Sequence, residues 1–532
     1  MSTTPPDGSP PDNAGSNGTA PDNPPPNSTA PENAGSNSTA PNRTASPNAA
    51  PQSAGAQHKP GSWGELFSAP YRLAVIVLAG GVLLYAMNVY LTAALLPSAV
   101  ADLGDQQLYA WVLTVFLLAS VIASLFVSRL IADVGPRTAY LIGFGLFGLG
   151  SLISAVAPTM PIMLGGRAIQ GLGGGLLAGL GFAVIRRAVP EHLITRSLGV
   201  SSAMWGVGNL VGPSIGGLFA QLGWWRWAMA LLVLLAIGLG WMAAKRMPGH
   251  QRGEKGPAIP GLALLLVSAA ATAISIAGVI DGVWVGILLA AGVLMLVAFV
   301  LRERTATVRV LPGITYQRGN PLKWVYLSLA ILAVVSTSEG FIPLFGQELG
   351  GLGPLLAGFL GAALSWGWTI GALGTSGLIT ERAQGRARLI GPIVLGLGIA
   401  GYAALQLHDP SWWVIGGWAL ALVVAGCGIG VAFQQGAASA IKATDDAAEA
   451  TRAATGVSTV QLMSNALGTA VAGVLVARGG DDVLASARLL LWPFAALALA
   501  GALTAWAANR SIAKLTGSKR HPAEPALAGD RA

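Results

Sequence analysis

Charge is scarce in this chain: only 10% of its 532 residues are Asp, Glu, Lys or Arg, against about 25% in an ordinary soluble domain. Because 53% of the residues are hydrophobic, a water-soluble globule of this length has too little polar surface to cover itself, and a soluble enzyme is excluded. Cysteine is nearly absent. The single one, Cys427, sits in an apolar run, which excludes a disulfide framework within the chain and a cysteine metal centre. The five histidines, His58, His192, His250, His408 and His521, are scattered over tails and loops. No cluster at metal-ligand spacing and no nucleophile–base pair stands out, so catalysis has no visible seat, and neither a cofactor nor a metal is implied. A Gly-x-x-x-x-Gly-Lys-Ser/Thr phosphate loop is missing too, which argues against direct use of ATP. No short cleavable signal opens the chain, since residues 1–60 are polar; the first apolar run is expected to serve as its own insertion signal.

What the chain does have is long apolar runs. A helix needs about 20 apolar residues to cross a bilayer, and such runs recur. A first group of six lies at about 73–97, 107–129, 138–157, 161–187, 197–221 and 225–244. Two more follow at about 259–280 and 283–301. A last group of six lies at about 322–346, 353–379, 387–407, 411–440, 453–478 and 485–508. The expectation is an all-α integral membrane protein of about fourteen spans. Its parts would be a six-helix bundle over 70–245, two additional helices over 259–301, a second six-helix bundle over 322–508 and a tail over 511–532. Only Asp281-Gly282 separates the middle pair, where a re-entrant hairpin is the alternative. Many of the 72 glycines lie inside apolar runs, where small residues let lipid-embedded helices approach closely.

Residues 1–60 form a Pro/Asn/Ser/Ala/Gly tract with a near-duplication, the stretch from Pro11 being echoed from Pro31. Such a composition buries nothing and is expected to stay disordered. The net charge of +8 does not imply nucleic acid, because the basic residues fall in short loops between spans. Arg129 and Arg137 flank the 2–3 loop, Arg186, Arg187 and Arg196 the 4–5 loop, and Lys245, Arg246, Arg252 and Lys255 follow span 6. Arg302, Arg304, Arg309, Arg318 and Lys323 follow span 8, whereas the 1–2 loop carries Asp102 and Asp105. Arg226, Arg478 and Arg488 break the pattern. The bias places both termini in the cytoplasm.

The 2–3 loop reads Ser128-Arg129-Leu130-Ile131-Ala132-Asp133-Val134-Gly135-Pro136-Arg137. It resembles the Gly-x-Leu-x-Asp-Arg-x-Gly-Arg-Lys/Arg signature of the major facilitator superfamily, with Ser128 for the first glycine and Val134 for the arginine. A second copy, Gly377-Leu378-Ile379-Thr380-Glu381-Arg382-Ala383-Gln384-Gly385-Arg386, stands at the matching loop of the last six spans. An acid there can pair with arginine and lock one conformation, so Asp133 with Arg137, and Glu381 with Arg382 and Arg386, are expected to hold a cytoplasmic gate. The alternative is ordinary solvated loop charge. Two similar six-helix halves imply a substrate site between them near the midplane.

Span 4 carries Arg167-Ala168-Ile169-Gln170-Gly171, similar to an Arg-x-x-Gln-Gly element of the same superfamily. A charge inside an apolar helix needs a cavity or a partner; the alternative is a shallow arginine that snorkels. Span 5 carries Gly208-Asn209-Leu210-Val211-Gly212-Pro213-Ser214-Ile215-Gly216-Gly217. Gly208, Gly212 and Gly216 make one small stripe, kinked at Pro213, which by itself means close packing. The string also resembles the antiporter motif of proton-coupled exporters. With the two extra spans, the whole resembles the fourteen-helix drug:proton antiporters over about residues 70–510. That resemblance implies a monomeric, proton-coupled exporter of small amphipathic molecules in a plasma membrane, by extension a bacterial inner membrane. It departs in span 1, where Asn88 stands at the place of that branch's aspartate.

Glu339, well inside the predicted span 9, is the alternative acid. A carboxyl shielded from water there can load and release a proton, with Ser336, Pro343 and Gln347 on its stripe. Asn209, Gln434, Gln435, Gln461 and Asn465 either line a cavity or bond neighbouring helices. Trp366 and Trp368 are deep enough to face a substrate, whereas Trp224, Trp225 and Trp227 read as interface anchors. Other readings are a lipid, glycolipid or metabolite transporter of the same fold, and a non-transporting membrane sensor or scaffold.

Overall fold

The computed structural model describes residues 62–249, 260–317, 319–378, 380–444 and 446–520. The predicted disordered tail over 1–60, the end of the tail over 511–532, and Arg252, Lys255 and Arg318 lie outside the described residues. The helices are α1 Arg72–Leu103, α2 Tyr109–Val156, α3 Met160–Ala183, α4 Ile194–Gln221, α5 Trp225–Arg246, α6 Gly261–Ala277 and α7 Val283–Thr305. They continue with α8 Leu322–Ser336, α9 Ile342–Glu348, α10 Pro354–Thr375, α11 Glu381–Ala404, α12 Trp412–Ile441, α13 Ala447–Ala477 and α14 Val483–Arg520.

Among the described residues, ten helical segments are long and apolar enough to cross a membrane, fewer than the expected fourteen. Predicted spans 2 and 3 run together as α2, broken only at Gly135, whose φ of 82° and ψ of 163° leave the helix. Pro136 follows with no N–H to donate, so the expected loop is a tight break at one glycine. In α3 and α4 the apolar character is diluted by Arg167, Gln170 and glycines, and by Arg196, Asn209 and serines. The described part of α6 has 17 residues. At the other end, α14 carries helix to Arg520, into the predicted tail.

The predicted span 9 is also interrupted. Helix α8 stops at Ser336, a 3₁₀ turn covers Thr337–Phe341, and α9 resumes at Ile342. The residues explain the break. The hydroxyls of Ser336, Thr337 and Ser338 bond back to the carbonyls of Ala333, Val334 and Val335 at 2.7–2.9 Å, competing with the helix's own bonds. Gly340 and Pro343 follow, neither a helix-interior residue.

Two groups of helices emerge. In the first, α3 lies along α2, while α1 packs on α4, α3 and α5. In the second, α12 packs on α10 and α11, and α14 on α11 and α8. The halves meet where α4 and α1 touch α10 and where α2 touches α13. Helix α6 lies on both α13 and α2, along this seam, and α7 packs on α6. Only 6% of the apolar stretch of α7 is buried. That inside-out profile, apolar and uncovered, suits a helix whose solvent is lipid.

Two polar clips tie the ends. At the C-terminus of α7 the wholly buried Glu303 accepts from the backbone N–H of Val310 at 3.0 Å, of Leu311 at 3.2 Å and from the Tyr316 hydroxyl at 3.4 Å. It folds the 306–316 connection onto the helix that precedes it. Glu303→Ala leaves these donors unpaired, at about 1–3 kcal/mol each where buried. The expected outcome is a melting temperature in detergent lowered by several degrees, with Glu303→Gln intermediate. Ahead of α1, the turn Trp63–Leu66 is capped by Ser62 and docks on the start of α4. The His192 ring bonds Glu65 at 2.7 Å, Arg196 lies 5.4 Å over the Trp63 ring, and Leu66 is buried. The hydrogen bond to His192 holds the Glu65 carboxyl below its usual range, so this contact weakens as acid protonates it.

Candidate functional site

Of the polar networks among the described residues, one lies within the apolar interior of the first half and one crosses the seam. The first centres on Arg167, which is wholly buried on α3. Its Nη1 donates to Asn88 Oδ1 at 3.0 Å and to Gln170 Oε1. Its Nε donates to the Val112 carbonyl at 3.2 Å, and the guanidinium lies 4.2 Å from the Phe116 ring centre. Gln170 Nε2 passes the chain on to Ser151 Oγ at 2.7 Å, and Thr92 donates to Asn88 Oδ1 at 3.3 Å. Arg167 and Gln170, which helical spacing puts on one face, therefore form one cluster with Asn88 of α1. A snorkelling arginine is not what the structure has. Among the described residues no carboxylate pairs with Arg167; its partners are neutral dipoles and an aromatic face.

The second network belongs to the break between α8 and α9. Glu339, half-buried, accepts from Ser365 Oγ of α10 at 2.5 Å. Ser365 Oγ is 3.0 Å from the Tyr90 hydroxyl of α1. Arg167 and Glu339 thus stand in separate networks. The 3₁₀ turn interrupts the helix that was expected to carry Ser336, Glu339, Pro343 and Gln347 as one stripe, while Pro343 and the Glu339 backbone both lie against Gly361 of α10. Tyr90 and Ser365 were missed by sequence reasoning. A lone tyrosine and a lone serine in apolar runs carry no motif.

The remaining candidates divide. Asn209 is buried on α4 with its carbonyl oxygen unpartnered among the described residues. Gln435 Nε2 donates to the Thr375 carbonyl at 2.8 Å, bonding α12 to the end of α10. Asp133 pairs with Arg129 at 3.3 Å, both half in water; Arg137 instead gives its backbone N–H to the Pro248 carbonyl at 3.2 Å. In the second copy, Glu381 pairs with Arg388, not with Arg382 or Arg386. Arg388 is buried and also donates to Asn509 Oδ1 at 2.8 Å and to Ser439, which knits α11, α14 and α12 together. Its spacing of seven from Glu381, two helical turns, was the available signal. The rings of Trp368 and Phe433 lie 5.2 Å apart, and those of Trp366 and Phe359 5.9 Å.

The glycine string of α4 divides as well. A Cβ on Gly208 would lie 2.8 Å from Met87 N, one on Gly212 2.8 Å from Met87 O, and one on Gly216 2.4 Å from Leu91 O. Those three faces belong to α1, within the same half. A Cβ on Gly217 would lie 2.6 Å from Leu355 Cα of α10, in the other half. Pro213 touches α10 too, beside Gly358. Further seam contacts are Ala110 against Gly473, Leu113 against Gly340, and a hydrogen bond from the Tyr109 hydroxyl to the Gly340 carbonyl at 3.4 Å. All of these lie toward the end where α1 finishes at Leu103 and α4 at Gln221, so the halves are pressed together at that end.

A family model described as Major Facilitator Superfamily matches residues 78–473. The chain belongs to that superfamily. A Mycobacterium tuberculosis protein named "Probable multidrug-efflux transporter" is 43% identical over 86% of this chain and 98% of its own length. Among solved structures, a POT family transporter in complex with 5-aminolevulinic acid has a TM-score of 0.61 at 14% identity, over 85% of this chain and 96% of its own. A D-xylose–proton symporter has a TM-score of 0.58 at 14% identity, over 82% and 97%. At such identities these two share the fold. The chain is a multi-pass membrane transporter, built as two helical halves that meet along a seam.

Proposed function

We propose that this superfamily member exports small amphipathic compounds in exchange for protons. It crosses a bacterial plasma membrane about fourteen times as a monomer, with both termini in the cytoplasm. On that orientation the Leu103 end is external, so the conformation described is closed to the outside. The export direction draws on the mycobacterial relative and on the antiporter-like string of α4. The observation that carries proton coupling is the position of Glu339: an intramembrane carboxyl, half-buried at a helix break, bonded to a serine at the seam of two halves that must move. A single group that cargo and proton both need gives exchange, because occupation by one excludes the other. Arg167 holds the first half in register and keeps a positive charge within it. Asp133 with Arg129, and Glu381 with Arg388, sit at the cytoplasmic ends, where such pairs favour one conformation over the other.

The test is proton flux in inverted membrane vesicles energised to acid inside, with a panel of lipophilic cations, neutral drugs and lipids. Cargo-dependent alkalinisation of the lumen is expected for the wild type. Glu339→Gln is expected to insert normally and lose it by at least about tenfold, as for a group that acts only in the coupled step. Full coupling in Glu339→Gln sinks the assignment. Because cargo and proton compete for the ionised Glu339 carboxylate, lipophilic cations and neutral hydrogen-bond donors are expected to outperform anionic lipids.

A further inference from the structure

The seam contact at Glu339 does more than hold an acid. With Glu339 ionised, the single proton of the Ser365 hydroxyl goes to the carboxylate across 2.5 Å. The 3.0 Å contact on the other side of that oxygen must then be made by the Tyr90 proton. Donation runs one way, from Tyr90 to Ser365 to Glu339, and it begins in one half of the protein and ends in the other. The ring that starts it is held firmly. A Cβ on Gly212 would lie 2.8 Å from Tyr90 Cβ, and one on Gly361 would lie 3.0 Å from Pro343 Cγ and 3.7 Å from the Glu339 carbonyl. Close packing of α4 on α1, and of α10 on the broken helix, thus sets the two ends of the chain at hydrogen-bonding distance.

We propose that Tyr90 is the positioning residue of a latch, closing the external side when Glu339 is ionised and releasing it when Glu339 takes up a proton or cargo. The proposal rests on the coupling role given to Glu339 above. Its physical basis is the strength of a hydrogen bond onto a charged acceptor, about twice that onto a neutral one. Once the carboxyl is neutral, Ser365 gains little by pointing at it, and the Tyr90 proton loses its ordered acceptor. Among the described residues no counter-charge is paired with Glu339. From α1 the titratable group is Tyr90 and from α2 it is Tyr109, which bonds the Gly340 carbonyl. Gln347 and Glu348 lie on α9, and Gln461 and Asn465 on α13. Among the described residues no Lys, Arg or His forms an ion pair with Glu339.

The latch answers a requirement that any exchanger must meet. A carrier that has released its proton inward and has not yet picked up cargo must not reopen outward, or each cycle lets in one proton for nothing. With Glu339 ionised and the chain intact, that empty state is the one held shut. Cargo arriving at the carboxylate takes the place of Ser365 and frees the halves to move. A proton arriving from outside neutralises the same carboxylate and allows return.

The experiment measures two fluxes in the same energised inverted vesicles: proton leak without cargo, and protons moved per cargo with it. Tyr90→Phe keeps the ring and removes the one proton. It is expected to insert as wild type does and to leak about fivefold more without cargo, the factor that one ordinary hydrogen bond allows. Its proton-to-cargo ratio should rise, and cargo should bind up to about fivefold more tightly, because it no longer competes with an intact chain. Ser365→Ala cuts the chain at its middle and serves if the tyrosine variant inserts poorly. It should leak equally, and the double variant should leak no more than either single one. Wild-type leak and ratio in both variants, with coupling lost in Glu339→Gln, would overturn the latch and leave the acid in place. Coupling retained in Glu339→Gln overturns both.

Discussion

Arg167→Ala is expected to leave little folded transporter, and Arg167→Lys to leave a folded one that scarcely moves cargo. The guanidinium serves three acceptors at once, on Asn88, Gln170 and the Val112 carbonyl, all in an interior where water does not replace it. Gln170 Oε1 is left without a donor, at about 1–3 kcal/mol, while Asn88 Oδ1, which keeps Thr92, and the Val112 carbonyl, which keeps its helix, each lose a bond to a charged group worth about 1.5–3 kcal/mol. The sum, roughly 4–9 kcal/mol, is comparable to the whole margin of stability of a domain, about 5–15 kcal/mol. Loss of the side chain from beside Phe116 and Tyr85 adds a cavity to that cost. Lysine restores the charge but not the fork; one ammonium at the end of a flexible stem cannot span acceptors placed for a planar group. Asn88→Asp makes the complementary test, since it sets a carboxylate against Arg167 in the place where the related antiporters carry one. It is expected to be tolerated and to raise the melting temperature in detergent by a few degrees. Arg167→Ala with wild-type melting and flux would show the cluster to be dispensable.

That cluster was legible for a definite reason. Arg167 and Gln170 are three residues apart on one helix, so their common face follows from helical geometry, and a charge in an apolar run announces that something must satisfy it. Asn88 was found because it departs from a resemblance. Long apolar runs revealed the helices in the same way, and the two loop copies revealed the two halves. What failed to show was whatever depends on a local contest within one run. Three consecutive hydroxyls and the pair Gly340 and Pro343 break span 9, yet mean hydropathy passes smoothly over them. Gly135 and Pro136 convert a predicted loop into a single-residue break for a similar reason. Charge pairing was hidden differently. Arg382, Arg386 and Arg388 stand in one short string, and sequence order does not say which of them is buried beside Ser439 and Asn509. Tyr90 and Ser365 were invisible because their meaning lies in a partner 275 residues away.

Two adjacent glycines offer the sharpest mechanical prediction. Gly216→Val is expected to destroy the first half, and Gly217→Val to leave it folded but unable to close. The residues are neighbours on α4, the substitution is the same, and the helix-propensity cost is common to both. They differ in what the new atoms meet. At Gly216 a Cβ would lie 2.4 Å from the Leu91 carbonyl oxygen and 2.9 Å from Leu91 Cα, backbone of α1 that the whole half packs around. Neither helix can withdraw without unpacking Gly208 and Gly212 as well, so the cost exceeds the usual 1–3 kcal/mol, roughly, of an overpacked site. At Gly217 the Cβ would lie 2.6 Å from Leu355 Cα and 2.9 Å from the Pro354 carbonyl oxygen, backbone of the other half. That clash disappears when the halves rock apart at the Leu103 end, a movement the transport cycle already contains. Gly216→Val should therefore fail to accumulate in the membrane. Gly217→Val should accumulate and melt as wild type does, with flux reduced by more than about tenfold because one conformation is disfavoured by some 1.4 kcal/mol or more. Spin labels at Gln106 and His408, on loops of opposite halves at the same end, read the gap directly, with Cys427 replaced by alanine. A distance distribution shifted wholly to the longer population in Gly217→Val, against a mixture in wild type, is the expected result. An unshifted distribution with flux intact would mean that α4 and α10 do not form the closing surface at that end.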